Sequence, residues 1–215
     1  LQNSNSHSQG KREKHRSTLV IETLVEKPLI LLTTSRNPTR DTRTFCRDLS
    51  NTLPNTVRTN RGKLSLDGVA EKALELQTEK AVIICKWRGG SAKIQLLRVG
   101  DNGLNAIPPL IYVKNIMLRR DFAEKVPRRR KVNSVVITAS QTISSEAKRL
   151  EDVFSQFFNI PILSPNETRN GKYDATMQIS ANSSNHIVIT FKLIPELVEV
   201  GPHITISHLV WELTS

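Results

Sequence analysis

What this chain lacks narrows it first. Only two cysteines, Cys46 and Cys85, occur in 215 residues. Both fall on faces expected to be buried, so free thiols are expected rather than a disulfide, and two thiols alone cannot build a zinc site. Aromatic residues make up 5% of the chain. No ladder of exposed rings is evident, which argues against base stacking as the main mode of reading a nucleic acid. No apolar run approaches the roughly 20 residues of a membrane helix, and no signal-peptide pattern opens the chain. The glycine-rich phosphate and dinucleotide loops, the H-E-x-x-H and C-x-x-C pairs and the G-x-S-x-G elbow are all missing. The histidines are His7, His15, His186, His203 and His208, and none has a partner at metal-binding spacing. The expectation is a non-enzyme: no catalytic residues, no metal, no cofactor, no small-molecule substrate and no membrane.

What is abundant is positive charge, and its placement matters more than its sum of +11. Residues 1–20 hold four Lys/Arg against one acid, residues 36–63 seven against two, and residues 117–131 seven against two. The remainder holds 13 basic and 15 acidic side chains. Clustered Lys and Arg point to a polyanion, because neutralising phosphates releases condensed counterions.

The chain also repeats itself. Residues 29–63 run LILLTTSRNPTRDTRTFCRDLSNTLPNTVRTNRGK, and residues 135–163 run VVITASQTISSEAKRLEDVFSQFFNIPIL. Ser35 matches Ser140, Phe45 matches Leu150, Leu49 matches Phe154, Leu53 matches Phe158 and Val57 matches Ile162, each pair 105 apart. A repeat of this size fixes an architecture. The expected organisation is a flexible basic tail (1–18), an N-terminal half (19–118), a basic connector (119–133) and a C-terminal half (134–215).

Each half reads as strand, helix, strand, helix, then three strands. Residues 29–33 form a continuous apolar run, as a strand buried on both faces does. Thr39 or Asp41 can cap a following helix, whose Phe45, Cys46, Leu49 and Leu53 share one side while Arg40, Arg43 and Arg47 cluster opposite. Ser65 can cap a second helix with Leu66, Val69, Ala70, Ala73 and Leu74 on one stripe. Residues 81–87 and 94–99 flank a Gly-Gly turn, as in a β-hairpin. Residues 100–109 are expected to be a loop, and residues 110–118 a strand. In the second half a helix is expected near residues 145–158, and the counterpart of the 66–76 helix shortened or lost, because about ten residues are missing there. Trp87 and Trp211 are expected to be packed in strands. The fold class is α/β (α+β): two tandem similar halves, each a mixed sheet with packed helices.

The best site candidate is the loop after the first strand. Backbone N–H groups at a helix N-terminus suit phosphate oxygens. Ser35 and Thr39 add neutral donors, while Arg36, Arg40 and Arg43 add charged, fork-shaped ones. Asn60, Arg61 and Lys63 follow the next extended piece, and in a parallel arrangement they emerge on the same edge. Arg128, Arg129 and Arg130 extend the basic surface through the connector. Taken singly, each residue fits ordinary turn or cap duty; the joint pattern is stronger. The second copy replaces these arginines with Ser140-Gln141-Thr142-Ile143-Ser144.

These residues resemble the Brix-domain family of ribosome-biogenesis proteins, in its compact archaeal form. The likeness rests on LLTTSRNPTRDTRTFCRDL (31–49), VRTNRGKLSLDGVAE (57–71) and ELVEVGPHITISHLVWEL (196–213). It implies two halves like the anticodon-binding domain of class II aminoacyl-tRNA synthetases. It also implies a factor that binds rRNA or pre-rRNA, assists processing and subunit assembly without catalysis, and meets ribosome-assembly proteins. Such a protein is cytoplasmic in an archaeon and nucleolar in a eukaryote. By motif, RNA contacts would fall on Ser35, Arg36, Asn37, Pro38, Thr39, Arg40 and Arg43, and on Asn60, Arg61 and Gly62. His203 stands where many members carry Arg, which weakens any RNA role for that turn. A tRNA- or synthetase-associated binding module is the alternative function, and an RNA-processing enzyme a more distant one.

Overall fold

The apolar run forms β1 (Ile30–Thr34), buried at every position, as a strand covered on both faces must be. The structure is a computed structural model and describes residues 30–86, 89–122, 131–140, 144–169 and 172–213. The expected tail, Trp87, and Arg128, Arg129 and Arg130 lie outside the described residues.

After β1 come α1 (Arg40–Thr52), β2 (Thr56–Arg58), α2 (Leu66–Glu75), β3 (Lys80–Cys85), β4 (Ala92–Gly100) and β5 (Gly103–Met117). Then come β6 (Val135–Thr138), α3 (Ser145–Phe158), β7 (Ile162–Leu163), α4 (Pro165–Thr168), β8 (Ala175–Ala181), β9 (Ile187–Leu193) and β10 (His203–Val210). The β-α-β-α-β-β-β order thus occurs twice, and α4 is four residues long where α2 has ten.

The ten strands of the described residues join one sheet, in the order β2-β1-β3-β4-β5-β10-β9-β8-β6-β7. Two sheets were expected; instead the last strand of each series pairs antiparallel with the other, Ile111 opposite Leu209 and Val113 opposite Ile206. The physical reason is that β5 and β10 would otherwise each present an open edge. β1 pairs parallel with β2 and β3, and β6 parallel with β7 and β8, while the remaining neighbours are antiparallel. The fold is therefore a mixed α+β arrangement with one large mixed sheet and four α-helices among the described residues.

The helices divide between the faces. Side chains alternate along a strand, so Ile30 and Leu32 join the large core with Phe45, Leu49, Leu53, Leu150, Phe154 and Phe157, whereas Leu31 joins a smaller cluster with Val69, Ala73, Ala81 and Ile83. Hence α1 and α3 cover one face and α2 covers the other. α1 and α3 meet over a void of about 20 Å³ lined by Leu49, Leu53, Phe154 and Phe158. Lys80 of β3 reaches the carbonyls of Gln156 and Phe157 at 3.1 and 2.8 Å, placing a cation at the negative end of α3.

Two expectations fail here. Residues 100–109 are not a loop: Asp101 and Asn102 alone turn the chain, with Gly103 at φ 101°, and β5 begins at once. Pro108 and Pro109 suggested a break because proline donates no ladder hydrogen bond. They sit instead in a bulge, since β4 advances from Ile94 to Leu96 while its β5 partners run from Ile111 to Ile107. On α2 only Val69, Ala70 and Ala73 are buried; Leu66 and Leu74 are exposed. The sheet beneath contacts a narrower arc than the sequence stripe.

The Val-Gly-Pro segment is a packing device. Val200 is fully buried, and a Cβ on Gly201 would lie 2.8 Å from the Thr52 side chain and 2.9 Å from Phe191 Cβ. Its neighbour His203 faces Glu199 at 3.7 Å.

Candidate nucleic-acid interface

The parallel pairing of β1 with β2 decides which residues meet. Both strands end on the same edge, and Thr33 Oγ1 donates to the Thr59 carbonyl at 2.9 Å while Thr59 N–H donates to Leu32 O. The loop after β1 and the turn after β2 are thereby held side by side.

Within the loop, Ser35 is half-buried and its N–H donates to Ile84 O at 2.9 Å. Asn37 takes the left-handed conformation, φ 52°, which asparagine tolerates. Of the two expected caps, Thr39 serves: its Oγ1 accepts from the Thr42 N–H at 3.1 Å, satisfying one orphan donor of α1. Arg43 Nη1 folds back to donate to Pro38 O at 2.9 Å, bracing the loop from the first turn of the helix. Arg40, Arg43 and Arg47 are all exposed, while Phe45, Cys46, Leu49 and Leu53 are buried. The amphipathic division of α1 is as the spacing predicts.

In the turn, Asn60 accepts from Arg58 Nη1 at 3.1 Å, and Lys63 is exposed. Gly62 has φ 54°, a conformation that suits glycine. Arg61 is not a solvated charge. It is 6% exposed, and its Nε donates to Leu64 O at 2.8 Å. Arg36 Nε reaches the same carbonyl at 3.3 Å. Two guanidinium groups thus converge on one oxygen, and no ion pair with a carboxylate engages either among the described residues. Arg61 Nη1 is buried without a hydrogen-bond partner. Burial, then the like charge of Arg36, pull the Arg61 pKa down, with Cys85 opposing. The arrangement is a pair of guanidinium groups with no carboxylate partner among the described residues, suited to an anion with several acceptor oxygens.

Three features escaped the sequence reading. Asp48, on the arginine-bearing helix, is buried; its carboxylate accepts the Arg119 N–H at 3.2 Å and lies 3.7 Å from Arg47. Arg120 binds Asp41 in the first turn of α1 at 2.7 Å. Val132 N–H donates to Asn51 O. Both described ends of the connector are therefore pinned to α1.

The corresponding region of the second series is chemically different. Lys148 is held by Glu151 at 3.2 Å and Asp152 at 3.8 Å. Arg149 lies over the half-buried Trp211 ring, 3.8 Å from its centroid, while Trp211 Nε1 donates to Glu146. Its basic side chains are engaged within the chain. Among the described residues no cluster of His, Cys, Asp or Glu could hold a metal, and no helix is long and apolar enough to cross a membrane.

Known proteins are similar to this chain in sequence and in fold. A probable Brix domain-containing ribosomal biogenesis protein of Thermococcus kodakarensis is 29% identical over 129 residues, 60% of this chain and 62% of the relative. One of Pyrococcus furiosus is 31% identical over 115 residues, 53% and 51% of the two chains. One of Aeropyrum pernix is 28% identical over 162 residues, 75% and 86%. The matched stretch is thus about three fifths of the first of these relatives and half of the second. No family model matches the chain. The crystal structure of a probable ribosomal biogenesis protein from Aeropyrum pernix K1 has a TM-score of 0.68 at 24% identity, covering 84% of this chain and 98% of that one. That of Mil, an archaeal Imp4-like protein, has a TM-score of 0.59 at 21% identity, covering 85% and 99%. The solved structures support the fold; the curated relatives bear out the resemblance to the Brix-domain family.

Proposed function

We propose that this relative of the archaeal Brix-domain ribosomal biogenesis proteins binds rRNA or pre-rRNA and assists ribosome assembly without catalysis. The observation that carries this reading is the convergence of Arg36 and the buried Arg61 on the Leu64 carbonyl, with no carboxylate paired to either among the described residues. A phosphate there receives charge-assisted, fork-shaped hydrogen bonds. Arg40, Arg43 and Lys63 extend the surface toward neighbouring phosphates, and Ser35, Asn37, Thr39 and Asn60 line it with neutral groups. Arg128, Arg129 and Arg130, outside the described residues, add positive charge in the connector sequence. Phosphate tracking with little stacking suits structured RNA.

Two similar halves, each like a class II synthetase anticodon-binding domain, complete the proposal. The repeated order of elements and the 105-residue offset support it; superposition of residues 30–118 on residues 134–213 tests it. Only the first half would hold RNA, because Lys148 and Arg149 of the second are engaged internally.

The test is a salt titration. Arg36→Ala with Arg40→Ala is expected to weaken binding to rRNA fragments and to flatten the log–log salt slope by about 0.7–0.9 for each phosphate no longer neutralised, with an unchanged far-UV circular dichroism spectrum. Unchanged affinity and slope would remove the site from this loop. Preferential binding of tRNA over rRNA fragments would favour a tRNA- or synthetase-associated module. RNA cleavage by the pure protein, abolished by one substitution, would favour an enzyme.

A further inference from the structure

α2 carries a flank that RNA binding does not use. Leu66 and Leu74 stand 56% and 62% exposed, with Ala70 midway between them. At 100° per residue these positions follow one inclined ridge, exposed at its two ends and buried at Ala70, which is 6% exposed. Asp67, Glu71 and Glu75 follow each ridge residue by one position and are exposed, so the adjoining row is acidic. Lys72 is the single basic residue of the helix, and it pairs with Glu75 at 2.6 Å. A chain of net charge +11 thus turns a negative, leucine-edged face outward. The sheet does not demand this helix, since α4 fills the matching place in the second series with four residues.

We propose that this face docks a basic, amphipathic helical segment of a protein partner. The leucine ridge receives the partner's apolar stripe, and the acidic row receives its lysines and arginines, as helix-in-groove recognition does. Like charge keeps RNA off this row. α1, which bears Arg40 and Arg43, lies on the opposite face of the sheet, while Arg36 and Arg61 meet at Leu64 just before α2 begins, so one molecule holds protein and RNA on adjoining surfaces. Docking at α2 does not require RNA binding at Arg36 and Arg61.

The probe is a synthetic helical peptide of leucine and lysine, with its leucine–glutamate counterpart as control, followed by fluorescence anisotropy on the full chain. The lysine peptide is expected to bind and the glutamate peptide not. Glu71→Lys with Glu75→Lys, and separately Leu66→Ser with Leu74→Ser, are expected to weaken binding at least about tenfold, while Arg36→Ala with Arg40→Ala leaves it unchanged. Both α2 variants are expected to melt at the wild-type temperature. Equal binding of the two peptides, or α2 variants that bind as wild type, would overturn docking at this face. So would a lowered melting temperature in the leucine variant, which would mean that the ridge is already packed. A photo-crosslinker at position 74 separates occupants: attachment to the lysine peptide supports the proposal, and attachment to a second copy, to the chain's own N-terminal residues or to an rRNA fragment overturns it.

Discussion

Asp48 shows how one side chain can serve structure at an electrostatic cost. Burial raises its pKa, against the backbone hydrogen bond from Arg119 and the charge of Arg47. The folded chain therefore holds this proton more tightly than the unfolded chain. The stability linked to it falls as pH rises through the carboxylate range, and the full cost is present at neutral pH. Asp48→Asn keeps an acceptor for the Arg119 N–H and removes the charge. It is expected to match or exceed wild-type stability at neutral pH and to lose any advantage at acidic pH, read by urea denaturation at both. Asp48→Ala removes the acceptor that the Arg119 N–H uses and is expected to cost about 1–3 kcal/mol. The thiols follow the same physics: burial pushes Cys46 up to about 12 and Cys85 upward as well. A thiol reagent at neutral pH is expected to leave Cys46 untouched in the folded chain and to modify both residues in denaturant. At this scale the sequence was a partial guide. It told that Cys46 faces inward, because its helical neighbours are apolar. It could not tell that Asp48, Arg61 and Glu151 are buried, since charged side chains are ordinarily exposed and the distant Arg119 that meets Asp48 is placed only by the fold. Glu151, 1% exposed with one oxygen unpartnered, is the extreme case.

Elements were legible wherever periodicity and caps agreed. α1 and α3 occupy the expected spans, and Ser144 closes α3 by accepting the Ala147 N–H at 3.2 Å. Ser144→Ala is expected to cost about 1 kcal/mol in a thermal melt, with no change in RNA affinity. Legibility failed where tertiary pairing overrode local signals. Pro108 and Pro109 read as a loop, yet β5 carries them within a strand by bulging there against β4. Leu66 and Leu74 read as core, yet only the middle of their stripe meets the sheet. The turn at Gly201 is a different case, a motif whose reason lies in close packing. Gly201→Ala forces a methyl group against Thr52 and Phe191 and is expected to destabilise by about 1–3 kcal/mol, measured by denaturation, with no effect on the salt slope.

At the scale of the molecule the two strand series share a sheet, and their helices share a core. Ile111, Val113, Ile206 and Leu209 form the seam, and Lys80 ties β3 to the far helix α3. Neither series can open without exposing the apolar side chains of the other. Denaturation is expected to be a single transition, with tryptophan fluorescence and far-UV circular dichroism coinciding; separated midpoints would mean two independent units. The candidate site was legible as a place, the joined loops at one strand edge, because parallel pairing follows from the β-α-β order. Its uncompensated charge was not, since that depends on which carboxylates fold elsewhere.

The strand order places the two briefest strands, β2 and β7, at opposite margins, with three and two residues. Margins this brief give a neighbouring molecule almost no ladder to extend. So broad a sheet is thereby self-limiting: it stops growing at ten strands, and concentrated protein should stay free of fibrils.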